Sequence, residues 1–276
     1  MRTAAHSVRA LLALLAFALS TSAGASSAPR ELRVCADPDN LPFSNQKLEG
    51  LENKLAALVA EDLHATVKYA WTRQRRGFIR RTLGANACDV ITGIPEGSED
   101  VLTTRPYYRS TYVFVYRKRG DTQVRSFDDP ALRQLRIGLH AIGDDGANPP
   151  PVHALAHRGI VRNVTGFKMW DVDSVVNPQG HIIDAVANGD IDVAIVWGPL
   201  GGYFAARQRV DLAVVPVSPA IEPPGIPFVF DIAMGVRPGD TTFKTELDGI
   251  LSRRQQDVQK LLDRYNVPVV HSAGTM

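Results

Sequence analysis

The chain has 276 residues, 45% of them hydrophobic and 22% charged, a composition that supports one or two buried cores and excludes disorder as the main state. Its 31 basic and 29 acidic residues nearly cancel, and without Arg2 and Arg9, which belong to the leader described next, the two signs balance at 29 each. A chain with no basic surplus lacks the electrostatic footprint of a protein that binds nucleic acid or an anionic membrane.

Arg2 and Arg9 precede the apolar run from Ala10 to Leu19, and the small residues Ala23, Gly24 and Ala25 follow it. This is the pattern of a secretory signal peptide, residues 1–25, so the mature protein is expected in the periplasm. The run is too short to cross a bilayer and no later stretch is longer, so no membrane insertion is expected. Leu32 to Ala36 reads as a buried strand stopped by Asp37 and Pro38. Pro38 and Pro42 bar further pairing, and Asp37, Asp39 and Asn40 suit turns. Leu51, Leu55, Leu58, Val59 and Leu63 then fall on one helical face. A strand, a proline-kinked polar loop and a helix set that loop at the carboxyl end of a parallel sheet, where open α/β sheets bind ligands.

Val67, Tyr69 and Trp71 alternate as a strand, a helix is expected over about residues 75–83, and Asp89 to Ile94 forms the next strand. Arg73, Arg75 and Arg76 are expected at the helix start, on the rim of the first loop, whereas Arg80 and Arg81 read as a solvated helical turn. Thr111 to Arg117 is an alternating strand with Tyr112, Phe114 and Tyr116 on one face. A second α/β set follows. It has strands at Leu135–Leu139, Val161–Val164, Ile191–Trp197 and Leu212–Val217, a helix start at Pro149 to Pro151, and helices at Ile182–Ala187 and Leu200–Arg207. Phe228 to Asp240 contains a returning strand, and two helices, Thr242–Leu251 and Val258–Tyr265, close the chain.

Chemistry-bearing patterns are scarce. No nucleophile elbow, zinc-protease helix, phosphate loop or dinucleotide glycine motif is present, so no catalytic, cofactor or metal site is expected. His153 and His157 are four residues apart on a short helix but have no third ligand nearby. The pairs Asp144–Asp145 and Asp171–Asp173 are explained by turns. An even cysteine count in an exported chain suggests a Cys35–Cys88 disulfide. Both cysteines fall at expected strand positions on parallel neighbours, which leaves the bridge open.

The order of the Asp37-to-Asn45 loop, the Cys88–Pro95 segment and Thr104 to Ser110 resembles the bilobal, type II periplasmic solute-binding proteins. Within them it is most similar to the J-type (MxaJ/XoxJ) accessory proteins of quinoprotein (PQQ) methanol dehydrogenase systems. The resemblance covers about residues 32–268. It implies two α/β lobes joined by two crossings: residues 30–113 with 231–268, and 114–230, each with its own sheet, and a loose tail at 269–276. It also implies a PQQ-dependent methanol dehydrogenase, with its cytochrome c, as partner, and no enzymatic activity of its own.

Amino-acid receptors of this kind carry an arginine after the third strand and an aspartate in the second lobe. Here Ile94 to Val101 has no arginine, and Trp197 stands where the aspartate would. A zwitterion therefore loses both of its partners. The residues expected along the cleft, as a partner-binding surface, are Asp37, Asn40, Leu41, Phe43, Arg75, Arg76, Ile94, Tyr107, Tyr108, Trp197, Pro199 and Tyr203, with Trp170 as a further candidate. The plainer reading of the apolar ones is core packing. The competing function is that of a receptor delivering a small non-amino-acid solute to an ABC permease.

Overall fold

A computed structural model describes residues 29–118, 123–141, 148–169 and 177–271. The leader, the two aspartate pairs of the second half and Trp170 lie outside the described residues. The elements in chain order begin with β1 (Arg30–Ala36), β2 (Asp39–Asn40), β3 (Ser44–Asn45), α1 (Leu51–Asp62), β4 (Ala65–Trp71), α2 (Phe78–Arg81), β5 (Val90–Pro95), β6 (Leu102–Thr103) and β7 (Tyr108–Arg117). There follow β8 (Ile137–Ala141), α3 (Pro150–His157), β9 (Val164–Lys168), α4 (His181–Asn188), β10 (Val193–Trp197), α5 (Gly198–Ala205) and β11 (Leu212–Pro216). The hairpin strands β12 (Ile221–Glu222) and β13 (Ile226–Pro227), then β14 (Val229–Val236), α6 (Thr241–Arg253) and α7 (Gln255–Arg264), complete the order.

The strand ladder runs β4-β1-β5-β14-β7-β10-β8-β9, with β6 on β14 and β11 on β7. β1 lies parallel between β4 and β5, and its residues pack into two core clusters, Leu32, Val34 and Ala36 in one and Cys35 in the other, so all four are buried. Such strands read as near-continuous apolar runs, as this one does. α1 covers the sheet with the Leu51, Leu55 and Val59 face that its periodicity predicts.

The expectation of a separate sheet in each lobe is not met, because β7 is long enough to serve two sets of neighbours. Its first residues, Tyr108 to Thr111, pair with β14, and from Tyr112 onward it pairs with β10 and β11. The largest core cluster likewise contains both Leu55 and Ile183.

Three local expectations change. The helix expected over 75–83 is a single turn, because Gly77 enters it in the left-handed region at φ 75° and so cuts Arg75 and Arg76 off from it. The strand expected at Val161–Val164 starts at its last residue, since Val161 is 60% exposed and a turn at residues 162–163 intervenes. The strand expected at Leu135–Leu139 is displaced to Ile137–Ala141. Val269 bridges Ser110 and the Val270 amide donates to the Arg109 carbonyl, so these two residues are tied to β7 and are not loose. Residues 272–276 lie outside the described set.

Cys35 and Cys88 are disulfide-bonded, with Cα atoms 5.4 Å apart. Cys88 lies two residues before β5, so its side chain is not bound by the alternation of the paired strand. That resolves what strand geometry left open.

Candidate functional site

The loop after β1 is fixed from below. Buried Asp37 accepts the backbone N–H groups of Asp39 at 2.9 Å and Gln74 at 2.6 Å, tying the first loop to the segment that follows β4. Its burial raises the carboxyl pKa, and these two bonds only partly oppose that. With the loop so held, Asn40 and Phe43 face a cavity of about 410 Å³. Asn40 donates Nδ2 to Gln74 Oε1 at 3.1 Å, while its Oδ1 is buried with no partner.

α1 begins against the same loop because Gly50 has no side chain, and a Cβ there would strike the Phe43 carbonyl. Asn53 Oδ1 accepts the Gly50 amide at 3.1 Å and the Asn45 amide at 3.0 Å. This start places Glu52 in the cavity wall opposite β5, where Thr92 Oγ1 donates to Glu52 Oε2 at 3.0 Å. The neighbouring residue is Gly93, and a Cβ at that position would overlap Glu52 Oε1. Burial pushes the Glu52 carboxyl up to about 7, helped by the charge of Asp37 and opposed by Thr92. Among the described residues, no lysine or arginine side chain lines the cavity.

The opposite wall is aromatic. Trp197 is the register partner of Tyr112 across β10 and β7, with ring centroids 5.5 Å apart and planes at 66°. Phe230 of β14 meets Trp197 at 5.8 Å and 72°. Tyr108 lies between Glu52 and Trp197: its pKa is raised chiefly by burial and further by Glu52, while a hydrogen bond with Trp197 opposes the rise. Ile94, Met169, Ile195 and Leu200 add apolar surface.

His140 of β8 also lines the cavity. Its Nε2 is 3.1 Å from the Gln179 carbonyl, and burial lowers its pKa to about 4. Gln179 in turn donates Nε2 to the Asp39 carbonyl at 2.7 Å, a direct bond between the first loop and the segment before α4.

Of the expected cleft residues, the structure brings Asn40, Phe43, Ile94, Tyr108 and Trp197 together around the cavity. The other seven lie elsewhere. Asp37 acts as a backbone clamp beneath the loop, and Leu41 is buried in the core. Arg75 lines a different depression with Phe78 and Ile91, and Arg76 is exposed beside it. Tyr107 precedes β7; its ring lies 5.1 Å from that of Tyr108, and its hydroxyl donates to the Thr92 carbonyl at 2.7 Å. Because α5 begins directly after Trp197, Pro199 is carried into its buried first turn. Tyr203 stacks on Tyr265 at 5.6 Å, with the Arg207 guanidinium 3.4 Å from its ring centroid. Glu52, Gln74, Tyr112, His140 and Phe230 were not anticipated. For Glu52 the available signal was an acidic residue beside a helix-starting glycine, facing a glycine on a neighbouring strand.

Among the described residues, no group of three or more His, Cys, Asp and Glu side chains could hold a metal ion. His157 Nδ1 instead approaches Glu222 Oε1 at 3.3 Å. No described helix is long and apolar enough to cross a membrane.

Residues 32–268 match the family model described as bacterial extracellular solute-binding proteins, family 3. The chain is 29% identical to Protein MoxJ of Methylorubrum extorquens over 98% of this chain and 96% of that one. The crystal structure of periplasmic binding protein XoxJ from Methylobacterium extorquens AM1 is similar at 35% identity, with a TM-score of 0.72 over 87% of this chain and all of that one. The crystal structure of MxaJ from Methlophaga aminisulfidivorans MPT shares the fold, with a TM-score of 0.76 at 23% identity over 87% of this chain and 100% of that one.

Proposed function

The chain belongs to the bacterial extracellular solute-binding proteins, family 3, with the bilobal type II fold of periplasmic binding proteins. On that premise we propose that it is a periplasmic, non-enzymatic accessory protein of a PQQ-dependent methanol dehydrogenase, with that enzyme and its cytochrome c as partners. The observation that carries this reading is the 35% identity to XoxJ over the whole of that chain, which agrees with the J-type motifs of the first loop and of the Thr104-to-Ser110 segment. The loss of both zwitterion anchors supports it, since a receptor for amino-acid import needs them. On this reading the lobes are residues 30–113 with 231–268, and 114–230. Half-buried Phe43 and Trp197 are then the aromatic anchors offered to the partner, as large rings often dominate an interface.

The test is quantitative binding of the purified protein to a purified PQQ-dependent methanol dehydrogenase. Wild type should bind, and Trp197→Ala should lose about 2 kcal/mol, roughly thirtyfold, while staying folded. The alternative is a receptor for a small non-amino-acid solute served by an ABC permease. It draws support from the size of the cavity, about 410 Å³, which falls in the range of small-molecule sites. No detectable binding of wild type to the dehydrogenase would remove the first reading and favour the second.

A further inference from the structure

The charged lining of the cavity, among the described residues, is of one sign. The Glu52 carboxyl receives only the Thr92 hydroxyl among the hydrogen bonds of the described residues. Asn40 spends its Nδ2 donor on Gln74 and keeps a buried Oδ1 without a partner. His140 faces a carbonyl through Nε2, so that nitrogen must carry the proton, and the neutral ring leaves Nδ1 as an acceptor. Among the described residues, no lysine or arginine lines the cavity. Among the described lining residues the site thus holds a carboxyl with no cationic partner and an amide oxygen with no donor, beside the Trp197 ring and the Tyr112 and Phe230 rings tilted against it.

We propose that this cavity binds an organic ammonium ion, a small amine with an apolar body and no carboxylate, held by Glu52 and Asn40 and packed against Tyr112, Trp197 and Phe230. A buried acceptor left unmade is costly, and only a donor relieves it. A cation relieves it best, because it also meets the carboxylate and the negative faces of the rings. A ligand carboxylate finds no cationic partner among the described lining residues and must be desolvated without a counter-charge. This inference does not rest on the dehydrogenase reading: the amine assay and the dehydrogenase assay fail or succeed independently.

Binding a cation to Glu52 requires its ionised form, so the amine must expel the proton that burial retains. The groups facing Glu52 narrow the source of that proton. Tyr69 of β4, Tyr108 of β7 and Tyr107 just before it are all held above the ordinary tyrosine value by burial, and so stay neutral throughout. Asp37, the remaining neighbour, has its carboxylate oxygens engaged by the Asp39 and Gln74 amides. His140, across the cavity, is already neutral.

The experiment is calorimetric titration of the purified protein with 2-phenylethylamine, 2-phenylethanol and L-phenylalanine, three probes that share one ring and differ at the head. The amine should bind saturably, with the alcohol and the amino acid each weaker by about tenfold or more. At pH 6, titration in buffers of different ionisation enthalpy should show close to one proton released per amine bound. Glu52→Gln should lose about tenfold or more of amine affinity and abolish the proton release. Absence of amine binding, equal binding of amine and alcohol, or amine binding without proton release would each overturn the proposal. The last of these is read on wild type alone, so it stands even if the variant does not fold.

Discussion

Glu52 and His140 face one cavity and should pull the pH dependence of stability in opposite directions. The folded protein keeps Glu52 protonated up to about pH 7, whereas its ordinary value is 4.5. Unfolding above pH 4.5 therefore releases a proton, and stability falls as pH rises. At about 1.4 kcal/mol per tenfold change in the proton equilibrium, the full loss is about 3 kcal/mol once pH passes 7. His140 is held neutral down to about 4 against an ordinary 6.5. Unfolding below pH 6.5 takes up a proton there, so stability rises with pH across that window, by about 3 kcal/mol. In wild type the two contributions nearly cancel.

Glu52→Gln removes only the first and retains an acceptor for the Thr92 hydroxyl. The variant should match wild type near pH 4 and exceed it by about 3 kcal/mol at pH 8. Urea unfolding of oxidised wild type and variant, followed by tryptophan fluorescence at constant ionic strength from pH 4 to 8, measures the difference directly. A variant-minus-wild-type difference that does not grow with pH would refute the burial of an uncompensated carboxyl. His140→Gln should give the mirror image, with an advantage near pH 4 that vanishes above 6.5.

Two further outcomes test the frame around the cavity. The Cys35–Cys88 bridge spans 53 residues, so replacing both cysteines by alanine should cost about 4 kcal/mol on the chain-entropy relation, read as a lower urea midpoint that no longer responds to reductant. An unchanged midpoint would mean that the bridge constrains nothing in the unfolded chain. Gly202 of α5 packs so closely on the chain that a Cβ there would overlap the Asn266 carbonyl; Gly202→Ala should therefore lower stability by about 1–3 kcal/mol as the C-terminal segment is pushed from α5. A neutral substitution in thermal unfolding would show that this segment is not docked as described.

The sequence carried the fold where periodicity and chain breakers act locally. The α1 face, the stop at Asp37-Pro38 and the start of α3 at its prolines all follow from neighbours a few residues apart, and all appear in the structure. The site was legible only in part because lining a cavity is decided by register and rotation between distant elements. Tyr107 and Tyr108 are indistinguishable by type, yet Tyr108 opens β7 and lines the cavity, whereas Tyr107 precedes the strand and its hydroxyl goes to the Thr92 carbonyl. Trp197 was found because it replaces an expected aspartate. Pro199 and Tyr203, two and six residues on, were misplaced because the helix starts immediately after it and Leu200 takes the cavity face.

Glu52 was missed for the opposite reason. In the helical pattern it is an ordinary polar residue beside Leu51, and polar positions on an amphipathic helix read as solvent-facing. What makes it an interior carboxyl is the pairing of two glycine positions 43 residues apart in sequence: Gly50, which lets the helix start close against the loop, and Gly93, which vacates the volume its oxygen occupies. A buried acid built by two missing side chains leaves no trace in periodicity, which records the side chains that are present. The same construction puts a carboxyl in the cavity wall, so the residue least visible in the sequence is the one that most narrows the ligand.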